Sequence, residues 1–383
     1  MATETAQTIT VIGATGNQGS GVVAALLDPT KSSLTTERYK VCAVSSNPEG
    51  EKAKALLAAH PDAVQAGLLQ IVQGDLRDVD SLKQAFKGSY GVFAACPFLP
   101  GNGVKAEDSE EAKQGRNIVD AAKACNVKLF IYSSLNYLSE LSGGKYTRVT
   151  HEDAKAIVAS YATEQLEAVT ILIPPAFYSN LAWSLFARRE GGSHSEKCVG
   201  RSELKLLACA ADGKVTICVP VDEDVKMEWV DESFDIGKFA AAALRVGPSV
   251  SAGKTYPVCS PRITPVQLAE EYHRATGEET RVQRLSLEEA GELVKGSMGE
   301  SAAVELTEMF SYARRSLRPI STRELTVLHT RRSWLAEVPE GTICSGAMKP
   351  KDDMSFADLG VKASSLSQFL ERTGFRVPKD SHA

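Results

Sequence analysis

The sequence predicts an α/β protein with a doubly wound parallel sheet and a second, smaller, mostly α-helical domain. Three observations predict it. A β-branched run, Thr8-Ile9-Thr10-Val11-Ile12, ends in Gly13 and is followed by a helical pattern. Short apolar strands then alternate with helices as far as Ile173. The chain has 383 residues, room for two domains at roughly 100–200 residues each.

Taken in order, Ser20–Leu27 carries small and aliphatic residues at helical spacing, and Tyr39–Val44 is the next strand, completing a strand-helix-strand unit. The rhythm continues with a helix over Glu51–Ala59, a strand at Leu69–Val72 and a helix over Ser81–Phe86. A strand at Gly91–Ala95, a helix over Glu110–Cys125 and a strand at Lys128–Ser133 follow. A helix over Asp153–Tyr161 and a strand at Val169–Ile173 end the regular pattern, because Pro174-Pro175 cannot donate to a sheet ladder. Leu181–Glu228 reads as an irregular insertion, Trp229–Ile236 as a return to the sheet, and Pro265–Thr276, Leu287–Lys295 and Ala302–Ser316 as helices of the smaller domain. The expected division is 1–180 with 229–260 for the sheet domain, and 181–228 with 261–383 for the smaller one.

Hydrophobic residues make up 43% and charged residues 24%, which excludes a disordered chain. With 43 Lys and Arg against 48 Asp and Glu, no basic field favours direct nucleic-acid binding. Eight cysteines (Cys42, Cys96, Cys125, Cys198, Cys209, Cys218, Cys259, Cys344) form no CxxC pair, as in a reducing compartment. Residues 1–8 lack the regions of a signal peptide, and no apolar run approaches the ~18–20 residues of a bilayer span. The reading is cytoplasmic, with nuclear entry through a partner left open. His194, Cys198, Cys209 and Cys218 match no zinc-ligand spacing, so no metal is expected.

The strongest motif is Gly13-Ala14-Thr15-Gly16-Asn17-Gln18-Gly19, placed between strand and helix. Glycines there permit a tight turn and close approach of backbone to a pyrophosphate, which meets the unpaired N–H groups at the helix start. This is the pattern of a dinucleotide-binding Rossmann domain. The second strand ends Val44-Ser45-Ser46-Asn47 without the carboxylate that selects NAD(H). NADP(H) is therefore favoured, with Ser45, Ser46 or Asn47 placed to bond the 2′-phosphate, Lys52 or Lys54 either adding charge or forming a solvated helix face, and NAD(H) left open. Asp75 and Leu76 follow the third strand, where an aspartate reaches the adenine amine, and Ala95 and Cys96 end the fourth, where small residues let the nicotinamide half lie close.

GATGNQG, the Gly74-Asp75-Leu76 turn, Tyr132-Ser133-Ser134 and His151-Glu152-Asp153-Ala154-Lys155 together resemble the NmrA-like family, an atypical branch of the short-chain dehydrogenase/reductases. The similarity continues through Pro175–Leu181, Asp235-Ile236-Gly237, Tyr256–Gly277 and a closing helix at Ser365–Thr373. The resemblance implies an NADP-binding Rossmann domain, a small α-rich domain and a cleft between them. It also implies one of two roles: a cofactor or redox sensor that regulates a protein partner such as a transcription regulator, or a reductase of a small molecule. The basic residue that the family often carries after strand two is replaced by Ser46.

Short-chain dehydrogenases use a Tyr-xxx-Lys turn, and here the turn reads His151-xxx-Lys155. Residues at i and i+4 share a helix face, so both side chains can point to one site. Lys155 is the candidate for the nicotinamide ribose and for catalysis. His151 is either a proton donor or an ordinary first-turn residue, with Thr150 and Asp153 forming a capping pattern. Ser133 and Ser134 either polarise a carbonyl or merely hydrogen-bond the loop, and Phe177, Tyr178 and Asn180, after the sixth strand, border the nicotinamide end or belong to the core. Absence of the tyrosine makes the sensor the leading reading and the reductase its alternative.

Overall fold

The run after residue 7 forms β1 (Thr8–Ile12), whose last four side chains are buried, and the glycine loop leads directly into α1 (Asn17–Leu27). The computed structural model describes residues 6–28, 39–183, 185–189, 214–316 and 352–378. β2 (Lys40–Ser45), α2 (Glu51–Ala58), β3 (Leu69–Gln73), α3 (Val79–Phe86) and β4 (Gly91–Ala94) follow as the alternation predicts. α4 (Glu110–Ala124), β5 (Leu129–Ser133), α5 (Thr150–Gln165) and β6 (Val169–Ile173) complete the regular half. α5 starts three residues before the predicted helix. It does so without the Thr150–Asp153 cap: the Asp153 carboxylate instead accepts from the Ser139 backbone N–H at 3.1 Å.

Beyond β6 the chain adds β7 (Ala176–Phe177), β8 (Ala187–Arg189), β9 (Val215–Val219) and β10 (Trp229–Val230), then α6 (Asp235–Val246) and β11 (Lys254–Pro257). α7 (Pro265–Thr276), β12 (Thr280–Arg284), α8 (Leu287–Met298), α9 (Glu300–Ser316) and α10 (Leu366–Thr373) close it. The main sheet has seven strands in the order β11-β6-β5-β4-β1-β2-β3, all parallel, with the crossover between β1 and β4 at the glycine loop. Ligands of such sheets bind at that switch point, beyond the carboxyl ends of the strands.

Two expectations are corrected. Trp229–Ile236 does not rejoin the main sheet: only Trp229 and Val230 are extended, and they pair with Ala176 and Phe177 in a separate two-stranded ribbon. The Asp231 side chain then accepts from the Ser233 and Phe234 backbone N–H groups, turning the chain into α6. The seventh strand is β11, paired with β6. The insertion is not wholly irregular either, since β8 and β9 join β12 in a three-stranded sheet, so the smaller part of the molecule is helical with a sheet of its own. Within that insertion, residues 190–213 lie outside the described residues, as do His194, Cys198 and Cys209.

α1 and α6 pack on one face of the main sheet, and α3, α4 and α5 on the other. A further core gathers β8, β9, α7, α8, α9 and α10 around Tyr178 and Trp229, whose rings stack at 6.0 Å. The C-terminal stretch does not belong wholly to that core. Leu359 and Val361 bury against the main sheet's helices, and the Arg245 guanidinium donates to the Leu359 carbonyl, because the chain crosses back over α6 before α10 begins. The closing helix forms as expected, with a Ser365–Gln368 capping box.

Candidate active site

The glycine loop is built for close approach. Gly13 has φ +75°, and a Cβ there would stand 2.8 Å from the Ala95 carbonyl oxygen. A Cβ on Gly19 would stand 2.1 Å from the Gly13 carbonyl, so only glycine lets the first turn of α1 sit on the loop. Ala14 is fully buried under the turn, Thr15 is half-buried, and Gly13, Gly16 and Asn17 are exposed. α1 has Gly16 at its N-cap, with no side-chain cap and no acidic residue in its first turn. Its first N–H groups and the positive end of its dipole are therefore available to an anion, whereas α7, α8 and α10 all close theirs with capping boxes. These residues fit the pyrophosphate of a dinucleotide.

At the far end of that groove Ser46 is exposed at the carboxyl end of β2, and its carbonyl accepts from the Gln73 side chain. Asp75 is not free: Arg77, which the sequence reading did not single out, pairs with it at 3.0 Å and holds its carboxyl below the usual range. Leu76 is half-buried, its carbonyl bonded by Asn117. Ala95 lies against Gly13, as expected of a small residue there.

At the near end lies a cavity of about 600 Å³. Asn17, Gln18, Cys96, Ser133, Ser134, Lys155, Phe177 and Asn180 all line it, so the glycine loop and the predicted nicotinamide-end residues meet at one wall. Ser133 donates to the Gln18 side chain at 2.6 Å, and the Ser134 hydroxyl donates to the Leu135 carbonyl at 3.2 Å. Cys96 is buried and accepts from the Tyr132 hydroxyl; burial pushes its thiol up, the opposite of a reactive thiolate. Much of the rest of its lining is apolar, including Trp183, Leu185 and Phe186 and Leu306, Met309 and Phe310 of α9.

The turn at the start of α5 holds four ionisable side chains, and three are engaged. The His151 Nδ1 lies 2.8 Å from a Glu305 carboxylate oxygen that also accepts from the His151 backbone N–H. Asp153 is bonded by the Ser139 hydroxyl. The Lys155 ammonium is paired with the fully buried Glu111, and burial pulls it down to about 8. The fourth, Glu152, is buried and lines the cavity, with no hydrogen-bonding or ion-pair partner among the described residues. Desolvation raises its carboxyl from 4.5 to about 7, opposed by His151 and reinforced by Asp153.

A raised carboxyl is a stability statement. The folded chain binds this proton more tightly than the unfolded one, so its contribution is complete below about 4.5 and is lost as the pH rises through about 7. Glu152→Gln is expected to remove that loss. Thermal melts at a series of pH values should show the variant gaining on the parent between these limits, and parallel curves would contradict the burial argument.

Residues 5–323 match the model of the NmrA-like family. The chain belongs to the NmrA-like family. Among its relatives, the NmrA-like family domain-containing oxidoreductase himF of Aspergillus japonicus is 34% identical over 191 residues, 49% of this chain and 51% of himF. The match thus spans about half the length of himF. The oxidoreductase notA of Aspergillus sp. (strain MF297-2) is 28% identical over 269 residues, 67% of this chain and 72% of notA. Among solved structures, Nmra, a negative transcriptional regulator crystallised in complex with NAD, aligns with TM-score 0.56 at 18% identity, covering 82% of this chain and 95% of that one. The same regulator has also been crystallised with NADP. At that identity the likeness is one of fold.

Within this NmrA-like frame the sequence reading missed Glu111, Glu152 and Glu305. Glu152 lies inside the His151–Lys155 motif, where nothing in the local sequence marks it apart from its neighbours. Glu111 lies 44 residues from Lys155, and Glu305 lies 154 from His151, so no local spacing marks either pair. Among the described residues no group of three or more His, Cys, Asp or Glu could hold a metal ion, and no helix is long and apolar enough to cross a membrane.

Proposed function

We propose that this NmrA-like chain binds a nicotinamide dinucleotide along the carboxyl edge of its sheet and reduces an apolar small molecule carrying a carbonyl or conjugated double bond. The observation that carries the reading is the cavity of about 600 Å³ that opens beside Asn17 and Gln18 and is roofed by apolar residues of α9. Its size and lining are those of small-molecule sites, and the relatives named oxidoreductases support the same reading. Gly13, Gly16, Gly19 and the uncapped start of α1 hold the pyrophosphate, and Ser46 with Asn47 faces the adenosine ribose. The absence of a carboxylate there supports NADP(H) over NAD(H). When bound, the reduced dinucleotide supplies a hydride. Ser133 and Gln18 fix the loop beside the reacting end, Lys155 supplies a buried positive charge, and the apolar roof excludes water.

The test is turnover. Purified protein with NADPH, and separately with NADH, is offered quinones, α,β-unsaturated ketones and aryl aldehydes while reduced-nicotinamide absorbance is followed. Consumption with at least one class, faster with NADPH, is expected. Absence of turnover with every class while the dinucleotide binds would overturn the reductase reading.

A second reading is favoured by one observation. His151 stands where a short-chain reductase has its tyrosine, and Glu305 holds both its ring and its backbone. In this reading the chain is a sensor acting on a protein partner, and it then needs different affinities for oxidised and reduced cofactor. Calorimetric titration with NADP+, NADPH, NAD+ and NADH decides that point, with equal affinities for both redox forms ruling out redox sensing.

A further inference from the structure

We infer that Glu152 is the proton donor to the substrate bound in the cavity beside the glycine loop, an assignment that rests on the reductase reading above. The argument is one of position. Of the four ionisable groups at the start of α5, His151, Asp153 and Lys155 are each held by a partner from another segment: Glu305 of α9, Ser139, and Glu111 of α4. Glu152, buried and lining the cavity, is the one of the four with no hydrogen-bonding or ion-pair partner among the described residues.

A buried carboxyl facing an apolar space stays protonated to unusually high pH, and its O–H then serves any acceptor that enters. Other ionisable groups on the wall do not duplicate it. Cys96 is bonded to Tyr132 and raised by burial, and Cys259 is likewise raised by burial. Arg262 pairs with Glu228 at 2.9 Å where the chain leaves β11. Lys226 lies near them on the same stretch of wall, and Tyr312 comes from α9.

The step balances without a further reactant. With hydride supplied by the reduced dinucleotide, a C–H bond would form at the electrophilic carbon of a C=O or conjugated C=C group, and its π electrons would move to the oxygen. The Glu152 O–H bond breaks as that oxygen takes the proton, giving an alcohol or enol, and the Glu152 carboxylate regains a proton from water once the site opens. The substrate class is thus an apolar ketone, enone or quinone whose acceptor oxygen reaches the start of α5. A permanently charged acid would oppose the negative charge that Glu152 takes on as it gives up its proton, and is disfavoured.

The experiment uses the full chain saturated with NADP+ and 2-acetylnaphthalene as a ketone probe that cannot turn over with the oxidised cofactor. Calorimetric binding is measured at pH 6 and pH 8.5 for the parent and for Glu152→Gln, whose amide keeps the shape and does not titrate. Thermal melts and NADP+ titrations of the variant confirm that it folds and binds cofactor. The parent is expected to bind the ketone on the order of tenfold more tightly at pH 6, as befits a carboxyl that titrates near pH 7. Glu152→Gln is expected to lose most of that difference, keeping at most the smaller dependence that Lys155, pulled down to about 8 on the same wall, contributes. With an active substrate the same variant should lose about 100-fold or more in kcat, the ordinary worth of a positioned acid, with KM changed less than about threefold.

Equal binding by the parent at both pH values, or the same pH dependence in Glu152→Gln, would overturn the assignment of the proton to Glu152 while leaving the cavity as the substrate site. No binding of the ketone by either protein at either pH would overturn the cavity reading itself, and this assignment with it.

Discussion

Lys155→Met is expected to lower the unfolding free energy by about 3–5 kcal/mol, the usual cost of breaking one side of a buried ion pair. Glu111 is fully buried, and with the ammonium gone its carboxylate keeps, among the described residues, only the hydrogen bond from the Leu99 backbone N–H at 3.2 Å. The cost is therefore the desolvation of an uncompensated charge. The double variant Lys155→Met/Glu111→Gln removes that charge and should recover most of the loss, since replacing both members of such a pair is often close to neutral. Urea unfolding of the four proteins gives the coupling directly. If the double variant loses the sum of the two single losses, Lys155 and Glu111 are not a pair. The same substitution removes the positive charge from the cavity wall, so turnover of any substrate should fall even where the folded fraction stays high.

Gly21→Ala is expected to be the most damaging change of a single methyl group in the molecule. A Cβ on Gly21 would stand 2.0 Å from the Ser233 carbonyl oxygen, and one on Gly237 would stand 2.2 Å from the Gly21 carbonyl. Both obstacles are backbone, so no side chain can swing aside, and α1 must part from α6. Overpacking usually costs about 1–3 kcal/mol, and a backbone-to-backbone clash belongs at the upper end. Because α1 carries the pyrophosphate cradle at its start, NADPH affinity should fall together with the melting temperature. Gly296→Ala, inside α8, is the matched control: nothing lies within 4 Å of its Cβ, and it should gain up to about 1 kcal/mol from helix propensity alone. A Gly21→Ala protein that melts with the parent would show that the two helices can move apart freely.

The first six strands of the sheet were legible because each is a short apolar run bounded by a helix of opposite periodicity, and periodicity is a local property. β11 was not, since Lys254-Thr255-Tyr256-Pro257 is four residues long, begins with a lysine and ends with a proline, as suits an edge. β8 and β9 were hidden differently. Val215–Val219 has the composition of a strand, but its parallel partner β12 lies some 65 positions away, and nothing near it announces a sheet. In the candidate site the glycine loop could be read because its chemistry needs consecutive residues. The carboxylates Glu111 and Glu305 could not, because each is defined by what it meets across the fold. Glu152 is the intermediate case: its position was visible, while its lack of a partner emerged only once the partners of its neighbours were known.

Helix α9 carries two functions on adjacent stripes. Ser301, Glu305 and Glu308 bond to the backbone of Asn102, of Gly101 and His151, and of Arg148, while Leu306, Met309, Phe310 and Ala313 face the cavity. The anchoring stripe grips main-chain N–H groups and, at two of its residues, side chains as well: Glu305 also holds the His151 ring and Glu308 the Arg148 guanidinium. The apolar stripe lies apart from these anchors and can change its side chains without disturbing them. Under the reductase reading, this arrangement lets substrate preference change through a few substitutions within about two turns of helix, apart from the residues proposed to hold the dinucleotide.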